Sequence, residues 1–305
     1  MASEGKKKTL SNKTKWIIGG VGGFLVLLIA LVVVFGSPSA ESVFKDMNET
    51  MLKTKSVTIN ESYKGSGASG ESISLTANMY LNLASSSELR AKGDFVLKMT
   101  SSGTPMAVDA QFVTVGDSNY VKFSKISSSS SALSASFSQM ESKLKGEWIK
   151  SRSGDNFGSF AKFPVESIAN VLPTPFANLT NDQRKAVLTI LQDKSTYTIE
   201  ESSKVDVSGT AAYKYQIKYN KDQYDKAAKA IAGYVSYFKT SSNDSSEIKS
   251  LTVWVNISTK QIIKMEFTGT SSQGDTEGTI TFSGYNQATP VEKPGDYSIE
   301  SELLD

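Results

Sequence analysis

Neither histidine nor cysteine occurs in this chain, so its reactive side chains are carboxylates, lysines and hydroxyls. That removes the common zinc sites, Ser-His-Asp triads and Cys-His pairs. What remains is acid–base work by paired carboxylates, a Ser-Lys dyad, or a metal held by oxygen ligands. Two carboxylate pairs are closely spaced, Glu200 with Glu201 and Asp222 with Asp225. Both read as solvated positions, the second near a helix start, where acidic side chains are favoured electrostatically. Serines and lysines are so frequent that a chance Ser-Lys pair carries no weight. There is no phosphate-loop or calcium-loop spacing. These residues speak against an enzyme, and they imply no cofactor and no metal.

The charge is unevenly placed. Of 33 basic and 31 acidic side chains, five lysines (Lys6, Lys7, Lys8, Lys13 and Lys15) lie in the first fifteen residues against Glu4 alone. The rest of the chain is therefore slightly acidic. Its three arginines, Arg90, Arg152 and Arg184, form no concentrated basic face, so no nucleic-acid partner is expected.

Directly after the lysines comes Trp16–Gly36, "WIIGGVGGFLVLLIALVVVFG", with no charge in 21 residues. About 20 apolar residues in a helix cross a bilayer core. Lysines in front of such a segment place 1–15 in the cytoplasm and the rest outside. The rival is a cleaved signal peptide, whose apolar region is ordinarily about 7–15 residues. The expected organisation is a cytoplasmic basic tail at 1–15, a transmembrane signal anchor at 16–36 and an extracytoplasmic domain at 37–305. The protein is then single-pass in the cell membrane.

The external part reads as follows. Val43, Phe44, Met47, Met51 and Leu52 form a helical stripe over 41–53. A series of strands then shows period-two alternation. Val57 and Ile59 open it. Ile73, Leu75, Ala77, Met79, Leu81 and Leu83 continue it, alternating with polar neighbours and Tyr80. Leu89, Ala91, Phe95, Leu97 and Met99 follow, then Met106, Val108, Ala110 and Phe112, and a short strand over 120–123. The serine run 127–131 reads as an internal loop. Leu133, Phe137, Met140 and Leu144 have helical spacing, "GEWIKSR" (146–152) is a strand, and Pro164–Leu172 is a short helix. Thr180 and Gln183 have capping-box spacing before a helix carrying Val187, Leu188, Ile190 and Leu191. A second strand group starts near Tyr197 and Ile199, then places Tyr213, Tyr215, Ile217 and Tyr219 on one face. A helix over about 221–238 follows, then the hairpin "TVWVNISTKQIIKMEF" and a strand over 279–285. The remaining residues read as an edge segment and loose tail.

This order gives an α+β domain built on one large antiparallel sheet of about ten or eleven strands with four or five helices. The sheet offers a wide apolar face and the helices that could cover it are few. It can twist tightly onto them and pack dry, or curve into a half-barrel that leaves space for an apolar ligand. Periodicity does not choose between these.

The succession of "MLKTKSVTI" (51–59), "GEWIK" (146–150), "GTAAYKYQIKYNKDQYDK" (209–226), "VWVNISTKQIIKMEF" (253–267) and "ITFSGYNQATPVEKP" (280–294) resembles the LolA-like superfamily, in particular the LppX/LprG-type envelope lipoproteins. The likeness lies in order and spacing over nearly all of 41–300. It implies a large curved antiparallel half-barrel closed by a few helices around an apolar cavity, holding or transferring a lipid or acyl chain, without catalysis. Those lipoproteins carry a lipidated cysteine after the signal. This chain has none, so its 16–36 helix would serve as the anchor.

On that reading the cavity is lined by Leu75, Met79, Leu81, Phe95, Leu97, Met99, Phe112, Tyr215, Ile217, Val255, Ile257, Met265 and Phe267. The partners are then a lipid or acyl-chain ligand and the membrane, with no protein partner specified. The alternative is a cell-surface module that binds protein or glycan over a dry-packed sheet, with Tyr213, Tyr215 and Tyr219 as a contact face.

Overall fold

The computed structural model describes residues 38–67, 70–129, 138, 141–151, 172, 175–236, 247–271 and 274–300. The expected tail 1–15 and membrane span 16–36 lie outside the described residues. So do Leu133, Phe137, Met140, Phe238, residues 301–305 and all of the expected 164–172 helix but Leu172. Among the described residues no helix is long and apolar enough to cross a membrane. The chain divides into two units, Met1–Ser42 and Val43–Asp305, and the sheet belongs to the second.

Among the described residues, the helices and strands with defined bounds follow in this order. α1 is Ala40–Met51, β1 Ser56–Ser66, β2 Ser72–Asn82, β3 Arg90–Ser101, β4 Thr104–Val115, β5 Ser118–Ser128 and β6 Trp148–Ser151. Then come α2 Asn181–Leu191, β7 Tyr197–Val207, β8 Thr210–Tyr219, α3 Lys221–Ala232, β9 Glu247–Asn256, β10 Ile262–Ser271, β11 Gly274–Ser283 and β12 Ser298–Ile299. All twelve strands form one open sheet in the order β12-β6-β5-β4-β3-β2-β1-β11-β10-β9-β8-β7. Every neighbouring pair is antiparallel except β12 with β6. The twelfth strand, beyond the ten or eleven expected, is made at the sheet edge by two residues of the segment read as an edge segment and loose tail.

Local chemistry sets the register. Ser102 and Gly103 join β3 to β4, and Ser208 and Gly209 join β7 to β8; all four have positive φ, from 50° to 82°. Two left-handed residues in succession make the tight hairpin turn whose twist suits paired strands. With register set, period two stacks one apolar row against the next. Phe112, Gly93, Met79, Ile59 and Phe282 are direct cross-strand neighbours on the same face. The close approach at Gly93 demands glycine, because a Cβ there would run into the Asn78 carbonyl oxygen and the Met79 backbone.

α1 lies over that face at β7 and β8. The Phe44 ring of α1 meets Tyr197 and Tyr215 edge-on, with centroids 5.6 and 5.3 Å apart. Leu52, Ala177, Leu179, Val187, Leu191, Ala227, Ile231 and Val235 form a buried cluster between α2, α3 and the chain after α1. The capping box of α2 forms as its spacing predicts: Thr180 Oγ1 accepts from the Gln183 amide, and the Thr180 amide donates to Gln183 Oε1 at 2.9 Å. α3 ends at Ala232, short of the expected 238.

Three positions depart from simple alternation. A register shift between Ile262 and Lys264 turns Ile262 into the core, fully buried, and leaves Ile263 half-buried. Tyr80 and Trp254 are buried on the opposite, outer face. Trp254 lies under the stems of Lys214 and Lys264, whose ammoniums are 5.5 and 4.9 Å from its ring.

Tyr80 is covered by the C-terminal segment, which crosses the outer face as a strap. The Lys55 amide donates to Asn286 Oδ1 at 2.7 Å, and Tyr80 Oη donates to the Gln287 carbonyl at 3.0 Å. Val291 packs into a cluster with Tyr80, Val113, Val115 and Tyr120. The strap ends beside β6, where the Ser151 hydroxyl donates to the buried Glu300 carboxylate.

Gly93→Ala is expected to destabilise the domain by about 1–3 kcal/mol, the usual range for forcing extra volume into a packed site, read as a fall in thermal midpoint. Burial raises the pKa of Tyr285 and of Tyr215. The unfolded chain therefore loses those protons first, and stability is full below the ordinary tyrosine value and falls as pH rises above it. Each tyrosine then contributes a slope of up to about 1.4 kcal/mol per pH unit above about pH 10. Tyr215→Phe should flatten that alkaline loss in denaturant titrations.

Candidate functional site

A cavity of about 960 Å³ lies at the hairpin ends of the strands. Eight neighbouring strands, from β5 through β1 to β9, contribute to it. Its apolar residues include Ile73 of β2, Met99 of β3, and Pro105 and Met106 of β4. Ile73, Met99 and Met106 are register neighbours, Ile73 opposite Met99 and Met99 opposite Met106. All three are half-buried. One row further from the hairpin ends, Leu75, Leu97 and Val108 are again register neighbours, and these are buried. The apolar face therefore opens stepwise toward the cavity.

Most of the remaining lining is polar, and Lys64, Ser72, Ser74, Lys98 and Thr100 alternate with Ile73 and Met99 and so point to the opposite face of the sheet. Ser66, Ser72, Ser74, Thr100, Ser127, Ser129, Thr268 and Thr276 bring hydroxyls, and Lys64, Lys98, Lys249, Asp275 and Glu277 bring charges. Lys249 Nζ lies 3.0 Å from Asp275, and Lys64 Nζ 4.0 Å from Glu277. Both pairs are well exposed, so each contributes at most about 1 kcal/mol.

Of the residues expected to line a cavity, Met99 does. Leu75, Met79, Leu81, Phe95, Leu97, Phe112, Tyr215, Ile217, Val255, Met265 and Phe267 share one face of the sheet and are buried, but none lines this opening. Ile257 stands apart. It lies in the turn after β9, half-buried, its amide donating to the Ala211 carbonyl at 3.1 Å. The turn begins where β9 ends, and Asn256 Oδ1 fixes it by accepting from the Ser258 and Thr259 amides at 2.8 and 3.0 Å.

Sequence reasoning missed Ile73 and Met106 as lining residues, although both lie on the alternating face. What places them at the opening is their nearness to the β1–β2 and β3–β4 connections, a signal present in the glycine and serine content of the sequence there. It also missed Glu61. This carboxylate occupies an apolar position in β1, 2% exposed, between Ala77 and Ile280 as register neighbours. The break it makes in the series Val57, Ile59, Glu61, Tyr63 is visible in the sequence.

The carboxylates weighed for acid–base chemistry are spent elsewhere. Glu200 lies 2.5 Å from Lys218 and Asp225 3.0 Å from Lys221, all at the surface. Asp222 sits in the first turn of α3. Asp193 is held below the usual carboxylate range by hydrogen bonds from the Ser195 hydroxyl and amide, a turn contact away from the cavity. Among the described residues no three acidic side chains are grouped to hold a metal ion.

No family model and no curated protein matches the chain. Among solved structures, LprF from Mycobacterium bovis is similar at 14% identity over 85% of this chain and 100% of that one, with a TM-score of 0.44. A LolA superfamily protein from Nitrosomonas europaea is similar at 12% identity over 84% of this chain and 99% of that one, with a TM-score of 0.22. With TM-scores this low, neither likeness decides a site or a ligand.

Met106→Trp is expected to fold with a thermal midpoint close to the parent's, because the side chain enters open space. Leu97→Trp, one row deeper, should cost about 1–3 kcal/mol by overpacking. Equal losses in the two variants, measured by thermal denaturation, would mean that the opening is not a void.

Proposed function

We propose that this protein holds, or passes on, a lipid or other hydrophobic ligand in the cell envelope, and that it binds without catalysing a reaction. The observation that carries the reading is the cavity, whose apolar floor at Ile73, Met99 and Met106 continues into the buried face behind it. Its volume is at the upper end of the range of about 300–1,000 Å³ for small-molecule sites. Each methylene moved from water onto such a floor contributes about 0.8 kcal/mol. In this reading the sheet curves as a half-barrel. Leu75, Leu97, Phe95 and Phe112 behind the opening line the path of a longer chain, with Met265 and Phe267 on the far side. Residues 16–36 anchor the protein in the membrane, residues 1–15 lie in the cytoplasm, and the domain from 37 onward lies outside. A permanent anchor suits a tethered holder better than a diffusing carrier.

The dry-packed alternative also has an observation in its favour, since Leu75, Met79, Phe95, Phe112 and Met265 are at most 1% exposed. The two readings differ in what a hydrophobic ligand does. Native mass spectrometry of the full chain, purified from a lipid-containing host, is expected to show an adduct of lipid mass that solvent extraction recovers. A bare mass together with no binding of fluorescent acyl probes would overturn the lipid reading and leave the surface module.

A further inference from the structure

We infer that the ligand of this cavity carries a neutral carbonyl beside its hydrocarbon chain, as an acyl ester or amide does, and that Tyr63 recognises it. This rests on the lipid-holding reading of the same cavity. Strand register joins the parts. Gly269, Thr276, Gly65, Ile73, Met99 and Met106 are successive cross-strand neighbours on β10, β11, β1, β2, β3 and β4. All six line the cavity. Directly opposite residues share a face, so the apolar floor and the small positions beside it form one row on one side of the sheet. That row carries no charge. Lys64, Lys98, Asp275 and Glu277 each sit next in sequence to a member of it, so alternation points them to the other side.

Tyr63 stands on the same face of β1 as Gly65, one row behind the lining, and is half-buried. Its ring runs along the strand toward the row. Tyr63 Oη lies 3.5 Å from the point at which Gly65 would carry a Cβ. Ile73 Cγ2 lies 2.9 Å and Thr276 Cγ2 3.6 Å from that same point. Three side-chain tips therefore meet above Gly65, two of them methyls and one a phenol hydroxyl. The hydroxyl is also held in place. The Tyr63 ring stacks on that of Phe267, with centroids 6.3 Å apart and planes 29° from parallel. The Phe267 ring in turn lies close against Gly278, where a Cβ would run into it. A hydroxyl positioned in advance beside an apolar floor exchanges a hydrogen bond with a ligand at little cost in ordering. A carbonyl accepts that bond and needs no counter-charge. A carboxylate or ammonium would give up water for a row with no opposite charge, which burial makes costly.

The test is displacement of a neutral fluorescent acyl probe from the full chain, parent and Tyr63→Phe, by methyl octanoate, N-methyloctanamide, octyl chloride and octanoate. Tyr63→Phe removes one oxygen and keeps the ring stack, and its thermal midpoint is measured alongside. It should lower affinity for the ester or the amide about fivefold, the modest return of one hydrogen bond. Octyl chloride should stay within about twofold, and octanoate should bind the parent at least about tenfold more weakly than the ester. The carbonyl stretch of the bound, isotope-labelled ester should lie lower in the parent than in Tyr63→Phe. The larger loss for the ester would point to acyl esters, and the larger loss for the amide to acyl amides. An equal loss for octyl chloride, or an unmoved carbonyl stretch, would overturn the role of the hydroxyl. Octanoate bound as tightly as the ester would overturn the neutral carbonyl. Each of those results leaves the lipid reading standing, because the chains still bind. Binding of none of the four by the parent would overturn both.

Discussion

An apolar sheet face has to be taken out of water, and most of this molecule is arranged around that requirement. Exposed apolar area costs roughly 25 cal/mol for each Å², and the buried face here runs across strands from β5 to β8. α1 packs on β7 and β8 through Phe44, and Leu52 and Ile231 pack in the cluster that joins α2, α3 and the chain after α1. At the hairpin ends of β1 to β5, Ile73, Met99 and Met106 are half-buried around a cavity. A ligand that completes the burial there uses the same driving force that holds the helices down.

The two edges of so wide a sheet are treated differently. An edge strand offers unpaired backbone groups to any other strand. At one edge the chain supplies its own partner, because β12 pairs with β6 at the end of the strap. At the other, β7 carries Glu200, Glu201, Lys204 and Asp206 and a register shift between Ile199 and Glu201, and charge and irregularity both discourage pairing. The strap also buries the outer aromatic side chains Tyr80 and Tyr120, which would otherwise form an exposed patch. Tyr120 Oη is buried there without a hydrogen-bond partner, a cost of about 1–3 kcal/mol that the surrounding apolar contacts offset.

Much of the architecture is legible in the chain as a string. Alternation over Ile73–Leu83, Phe95–Met99 and Tyr213–Ile217 marks strands and says which side chains share a face, because period two is a property of one strand by itself. Thr180 with Gln183 marks the start of α2 because a capping box closes within four residues. The candidate site is legible only in part. Met99 is on the right face, but so are Leu75, Leu97 and Phe112, and alternation is blind to depth along a strand. Ile257 and Ile263 show the limit of the pattern. Each continues an alternation by sequence, yet a turn fixed by Asn256 and a shift in pairing at Ile262–Lys264 take them off the core face.

The amino-acid sequence by itself thus determined the secondary structure, the apolar face and the absence of histidine and cysteine chemistry, since these depend on residue type and on neighbours a few positions away. The tertiary structure alone decided which row of that face ends at an opening, and that the C-terminal edge segment would cross the outer face as a strap. Those outcomes rest on contacts such as Lys55 with Asn286 and Tyr80 with Gln287, between residues more than 200 positions apart. No local period carries information over that distance, because it is the pairing of whole strands that brings such residues together.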